Sequence, residues 1–125
     1  MDYKIAFSEG QNSFIVKTSG KMEPDSYIKM AQDLLSHPRH KTGGNLVLDH
    51  EDLDFSCVAD GDLQKIRCFH EENEDKIGCG KSAIVVRPGM AKHWYKLWSR
   101  GEKIRTANNV RVFEDINEAI NWIML

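Results

Sequence analysis

The sequence predicts an α/β fold: one domain built on a mixed, mostly parallel sheet of about five strands covered by helices. Three observations carry that expectation. Leu46-Val47-Leu48 and Ala83-Ile84-Val85-Val86 are near-continuous apolar runs with no polar face, as strands covered on both sides require. Tyr3, Ile5 and Phe7 alternate with Lys4 and Ala6, the pattern of a half-buried strand. Apolar residues then recur at helical spacing in four separate segments.

Taken in order, Ser8-Glu9-Gly10-Gln11-Asn12 reads as a hairpin loop, and Phe14-Ile15-Val16 with Thr18 as the return strand, ended by Gly20. Pro24-Asp25-Ser26 starts a helix whose apolar face is Tyr27, Met30, Ala31 and Leu34, and His37-Pro38 stops it. Gly43-Gly44 turns into a strand over 45–49, which ends in acid and feeds an acidic loop, His50 to Cys57. A second helix begins near Asp60, with Leu63, Ile66, Phe69 and His70 on one face, and runs into the acidic stretch Glu71 to Asp75. Gly78 and Gly80 break the chain before a strand over 82–86. Pro88-Gly89 opens a third helix with Met90, Trp94, Leu97 and Trp98 on one side, and Gly101 ends it. Val110, Val112 and Phe113 form the last strand. Asp115 caps a final helix, with Glu118 placed for a capping box, and Ile116, Ala119, Ile120 and Ile123 face the core. The order β-β-α-β-α-β-α-β-α pairs the hairpin antiparallel and the later strands parallel through right-handed crossovers.

A chain of 125 residues suffices for one core, so residues 1–125 are expected to form a single domain. At 41% hydrophobic and 29% charged it has an ordinary globular composition, and a net charge of -2 gives no global attraction to nucleic acid. The charge is unevenly spread. Residues 49 to 75 hold ten acids against Lys65 and Arg67, whereas residues 87 to 111 hold seven bases against Glu102. Two oppositely charged solvated faces are the simplest reading. Cys57, Cys68 and Cys79 are odd in number and lack C-x-x-C spacing, so neither a disulfide framework nor a cysteine-rich zinc site is indicated. Met1-Asp2-Tyr3-Lys4 opens no signal peptide and no apolar run nears 18 residues, so a cytoplasmic location is expected.

The motifs for chemistry are thin. Gly80-Lys81-Ser82 has the end of a P-loop, but Asp75 stands where that motif needs glycine, and a strand follows instead of a helix. His37, His40, His50, His70 and His93 show no ligand spacing and read as isolated surface or partly packed histidines. Asp49, Glu51, Asp52 and Asp54 lack the tighter, glycine-containing pattern of a calcium loop. No nucleophile–base set emerges, so no catalytic residue, metal or cofactor is expected. The third helix is more informative. Met90, Trp94, Leu97 and Trp98 share one arc, and Lys92, Lys96 and Arg100 form a separate stripe at i, i+4 and i+8. A short basic helix rich in Trp suits an anionic membrane surface or the gate of an apolar cavity, and an ordinary core-packing helix fits the pattern as well.

The ordered set of segments resembles a family. It comprises the hairpin closed by Ser19-Gly20-Lys21-Met22, Leu34-Leu35-Ser36-His37-Pro38, Leu46-Val47-Leu48-Asp49 with Leu53, Ala83-Ile84-Val85-Val86 before Gly89-Met90, and Arg111-Val112-Phe113 with Glu118-Ala119-Ile120 and Trp122. Together they resemble the STAS-like superfamily, the fold of bacterial anti-sigma-factor antagonists, and within it the SpoIIAA-like branch, which is grouped with CRAL-TRIO-type lipid-binding domains. The resemblance implies a non-enzymatic regulatory or binding domain. One expectation is a small apolar ligand or lipid held between the sheet and the third helix. Met90, Trp94 and Trp98 would line that site, and Lys92, Lys96 and Arg100 would meet anionic head groups at the inner face of a membrane. The alternative is a protein–protein module acting through Asp52, Asp54, Ser56 and Asp60; a homodimer is left open. Phosphorylated antagonists carry an Asp-Ser-Ser-Gly-like turn at the start of the second helix. The corresponding stretch here is Cys57-Val58-Ala59-Asp60-Gly61, without a hydroxyl at the switch position, and Ser56 lies earlier in the loop.

Overall fold

The computed structural model describes residues 1–56, 58–98 and 110–125, the side chain of Trp98 excepted. β1 (Asp2–Ser8) and β2 (Ser13–Lys21) form an antiparallel hairpin. Then follow α1 (Pro24–Leu35), β3 (Asn45–Asp54), α2 (Asp60–Glu72), the one-turn α3 (Glu74–Ile77), β4 (Ser82–Val85), α4 (Ala91–Trp98), β5 (Val110–Phe113) and α5 (Ile116–Ile123). The five strands lie in sequence order, with β2 to β5 all parallel. The α/β class and the mixed sheet are those expected.

Two apolar cores flank the sheet. On one face Phe14, Val16, Leu48 and Ile84 meet Tyr27, Met30 and Leu34 of α1, Leu63 and Ile66 of α2, and Trp94 and Leu97 of α4. On the other, Val47, Ala83, Val85 and Phe113 meet Ala119 and Ile123 of α5. Three successive crossovers therefore lie on one side, as crossovers of a single hand between adjacent parallel strands require. The helices form because their apolar stripes can be buried there. Full burial of Leu63 or Ile66 is worth about 2 kcal/mol each over leaving it in water. The Tyr3 hydroxyl donates to the Asp33 carboxylate and fastens β1 to α1, and that bond holds the phenol up at about 12.

Several details depart from the sequence reading. β3 does not stop at Asp49; it continues to Asp54, so the expected acidic loop is largely strand. The reason is β2, which runs nine residues and offers ladder partners to the whole stretch. Lys17 pairs with Asp49 but Ser19 pairs with Asp52, so Thr18 alone faces both His50 and Glu51 in a β-bulge. The Glu51 amide donates to the Asp49 carboxylate across it (3.2 Å). A bulge inverts the side-chain alternation. Leu48 and His50 are buried before it, and Leu53 and Phe55 after it, toward the same helices. The α3 turn was not expected, and α4 starts at Ala91 instead of Pro88, because Met90 closes a turn onto Arg87 and Gly89 sits at φ +88°. Asp115 does cap α5, accepting from the Asn117 amide at 2.7 Å. Gly101 lies outside the described residues.

Candidate functional site

The carboxyl ends of the parallel strands gather the loops that α/β folds use for function. β3 reaches furthest. Its last carbonyl, at Asp54, accepts from the Met22 amide (2.8 Å), which ties the strand end to the β2–α1 connection. The Asp54 carboxylate accepts from both the amide (3.0 Å) and the hydroxyl (2.6 Å) of Ser56. The Ser56 hydroxyl holds the Asp54 carboxyl below the usual carboxylate range, with the Ser56 amide, Lys21 and Arg87 adding to the effect. Asp52 faces Lys17 at 3.6 Å, and the same ammonium lies 3.9 Å from Asp49, which is buried. Asp60 is the first residue of α2 and is exposed, as are Asp52, Asp54 and Ser56. The four expected partner-contact residues therefore share one end of the sheet. Cys57, between them, lies outside the described residues.

The α4 candidates divide. Trp94 is 3% exposed, its ring 5.0 Å from Phe55 edge-on and 5.3 Å from the His50 ring. Leu97 is buried beside it and Met90 is half-buried. Lys92, His93 and Lys96 are exposed, and His93 stacks on Phe55 at 5.4 Å. Arg100 and the side chain of Trp98 lie outside the described residues. The helix is positioned from β5. Glu114 accepts from the Gly89 (3.0 Å) and Ala91 (3.1 Å) amides, supplying the N-terminal cap that α4 lacks locally. The Tyr95 hydroxyl accepts from the Val112 amide (3.2 Å), covering one donor of an edge strand.

Beneath Trp94 lies a polar cluster that sequence reasoning missed. His50, expected at the surface or partly packed, is completely buried. The Thr18 hydroxyl donates to the Asp49 carbonyl (3.3 Å) and so accepts from His50 Nδ1 (2.7 Å). Nε2 is then left to accept from the Tyr27 hydroxyl (3.0 Å). The neutral imidazole with its proton on Nδ1 satisfies every group in this chain. Burial pushes the imidazole down to about 3, against a smaller raising effect of the Asp49 backbone, and pushes the Tyr27 phenol up. The available signal was the break in alternation: Leu46, Leu48 and His50 share one parity and Leu53 and Phe55 the other.

Residues 14–124 match the family model SpoIIAA-like. The chain belongs to the SpoIIAA-like family. A comparison with curated proteins gave no match. The five-stranded mixed sheet agrees with the STAS-like fold of this family, whose domains are regulatory modules that typically engage protein partners. In this SpoIIAA-like domain α2 starts with Ala59 at its N-cap, which offers no hydroxyl. The Asp62 carboxylate accepts from the Ala59 amide at 3.4 Å, which is one half of a capping box; an alanine side chain cannot supply the other. No described helix is long and apolar enough to cross a membrane.

Proposed function

We propose that this domain is a regulatory module that binds a protein partner at the carboxyl end of β3, through Asp52, Asp54, Ser56 and Asp60, without a phosphoserine switch. One observation carries the reading. The Asp54–Met22 bond and the pairing past the bulge extend β3 as a ladder, so Asp52 and Asp54 stand exposed on a strand instead of a loose loop, with Ser56 bonded to Asp54 just beyond and Asp60 exposed at the start of α2. Rigid placement lowers the ordering cost of association. A surface of three carboxylates suits a partner rich in Lys or Arg. The test is co-purification of the partner from source cells, with a zero-length carbodiimide joining carboxylates to lysines. Partner cross-links from Asp52, Asp54 or Asp60 are expected, and Asp52→Asn, Asp54→Asn and Asp60→Asn together should weaken the complex at least tenfold. Cross-links confined to other surfaces, or an unmoved affinity, would refute the reading.

A second reading is favoured by the outer side of α4, where Lys92, His93 and Lys96 are exposed and Tyr95 is 52% exposed. This basic, aromatic side is suited to anionic head groups. Binding to vesicles containing anionic lipid at low salt, weakened by Lys92→Gln with Lys96→Gln, is its expected signature in co-sedimentation. An apolar ligand under the same helix would have to displace Trp94 from Phe55 and His50. Native mass spectrometry of freshly purified protein would reveal such a ligand directly.

A further inference from the structure

A trough runs along the outer seam of α1 and α2. It consists of two open concavities of about 550 and 540 Å³ that share Phe69 and Glu72. Half-buried Ile28, Leu35 and Phe69 form its apolar floor. Its charged rim consists of Asp25 and Lys65 at one end and Glu72 and Lys76 at the other, all exposed. Among the described residues, none of these four makes an ion pair within the chain.

The order of these residues is self-complementary. About a two-fold axis through the midpoint between Cys68 and Phe69, an antiparallel second copy sets each residue against the one equidistant on the other side. Lys65 then meets Glu72 of the second copy, Gln64 meets Asn73, and Cys68 meets Phe69. The Gly61 end of the trough, where Asp25 stands, lies toward the α3 end of the second copy, which carries Lys76. On α1, Ile28 faces the end that carries Leu35. Opposite charges and apolar groups coincide in both directions at once, which is the condition an isologous interface imposes and a heterologous partner does not. The spacing is also that of one helix face: 61, 64 and 65, 68 and 69, 72 recur every three or four residues. We propose that the α1–α2 face is a homodimer interface, two copies packing antiparallel across this trough with Lys65–Glu72 pairs on either side of the axis. It adjoins the proposed partner surface only at Asp60, next to Gly61, and leaves Asp52, Asp54 and Ser56 at the end of β3 open to a different partner.

Sedimentation equilibrium of the full chain over a range of concentrations tests this. A concentration-dependent dimer weakened by added salt is expected. Lys65→Glu and Glu72→Lys should each raise the dimer Kd at least tenfold by setting like charges opposite one another, and the double exchange should return it to within about threefold of the parent. Both positions are exposed, so circular dichroism should show unchanged folding. A short bismaleimide supplies an independent readout. It should join two chains through Cys68, with the product lost in Cys68→Ser and kept in Cys79→Ser. A monomer at every concentration, a double exchange that fails to recover, or a cross-link that survives Cys68→Ser would each overturn the proposal.

Discussion

At the scale of single residues, His50 shows what a sequence conceals. A histidine two positions after a buried leucine and amid acids looks solvated. Strand alternation carried on from Leu48 turns it inward, under Trp94 and between Thr18 and Tyr27, because β3 continues past Asp49. The consequence is a pH dependence of definite sign. The folded-state value near 3 lies below the unfolded value near 6.5, so between them the unfolded chain binds the extra proton. Stability from this group is fully present above about 6.5 and falls as the pH drops toward 3, by at most roughly 1.4 kcal/mol per pH unit. Urea unfolding at pH 7, 6 and 5 should show this slope, and His50→Gln should flatten it. A parent protein equally stable at pH 7 and 5 would contradict the buried neutral imidazole. Removing the Tyr27 hydroxyl by Tyr27→Phe strands Nε2 without a donor. That change should cost about 1–3 kcal/mol in the same measurement at pH 7.

At the scale of elements, periodicity made most of the fold legible, because each element but the one-turn α3 has an apolar pattern that its burial follows. The limits of elements were less legible, because they depend on distant partners. β3 is prolonged by its neighbour β2, and α4 is capped by Glu114 from beyond β5. The start of α2 was placed correctly, and it is weak. Ala59 at the N-cap has no hydroxyl to accept from the first-turn amides, so Ala59→Ser should raise stability by about 1 kcal/mol. Thermal unfolding reads this as a rise of several degrees for a domain of this size. A neutral or destabilising Ala59→Ser would mean that the cap is supplied by other means. The loops at the opposite end of the sheet make the contrary case. A Cβ on Gly80 would lie 2.2 Å from the Gly44 carbonyl oxygen and 2.4 Å from that of Gly43. Both obstacles are backbone, so neither can rotate away. Gly80→Ala should therefore separate the α1–β3 and α3–β4 connections, lowering the unfolding midpoint and increasing hydrogen exchange at the Gly43 amide, which is bonded to the Ile77 carbonyl at 3.0 Å.

At the scale of the whole molecule, the acidic and basic segments approach each other at one end of the sheet. Asp54 at the end of β3 is held down chiefly by Ser56, with Arg87 after β4 adding a small effect. The sequence showed that α4 has one apolar and one basic side; it could not show whether the apolar side closes over a void or over other side chains. Amphipathicity specifies a direction of burial and says nothing about what fills the space beneath. In the structure Phe55 and His50 fill it, making Trp94 the contact that binds α4 to the main core. An eight-residue helix has little stability of its own, so its docking depends on Trp94 and Leu97. Trp94→Ala should then cost about 3–5 kcal/mol, the price of deleting a large buried side chain. That is a large part of the 5–15 kcal/mol typical of a domain. Lys92→Gln and Lys96→Gln, on the exposed side, should each stay within about 0.5 kcal/mol. Urea unfolding of the three variants separates a core helix from a mobile lid. If Trp94→Ala lost less than about 1 kcal/mol and kept the remaining tertiary structure, α4 would be a lid that opens without disturbing the sheet.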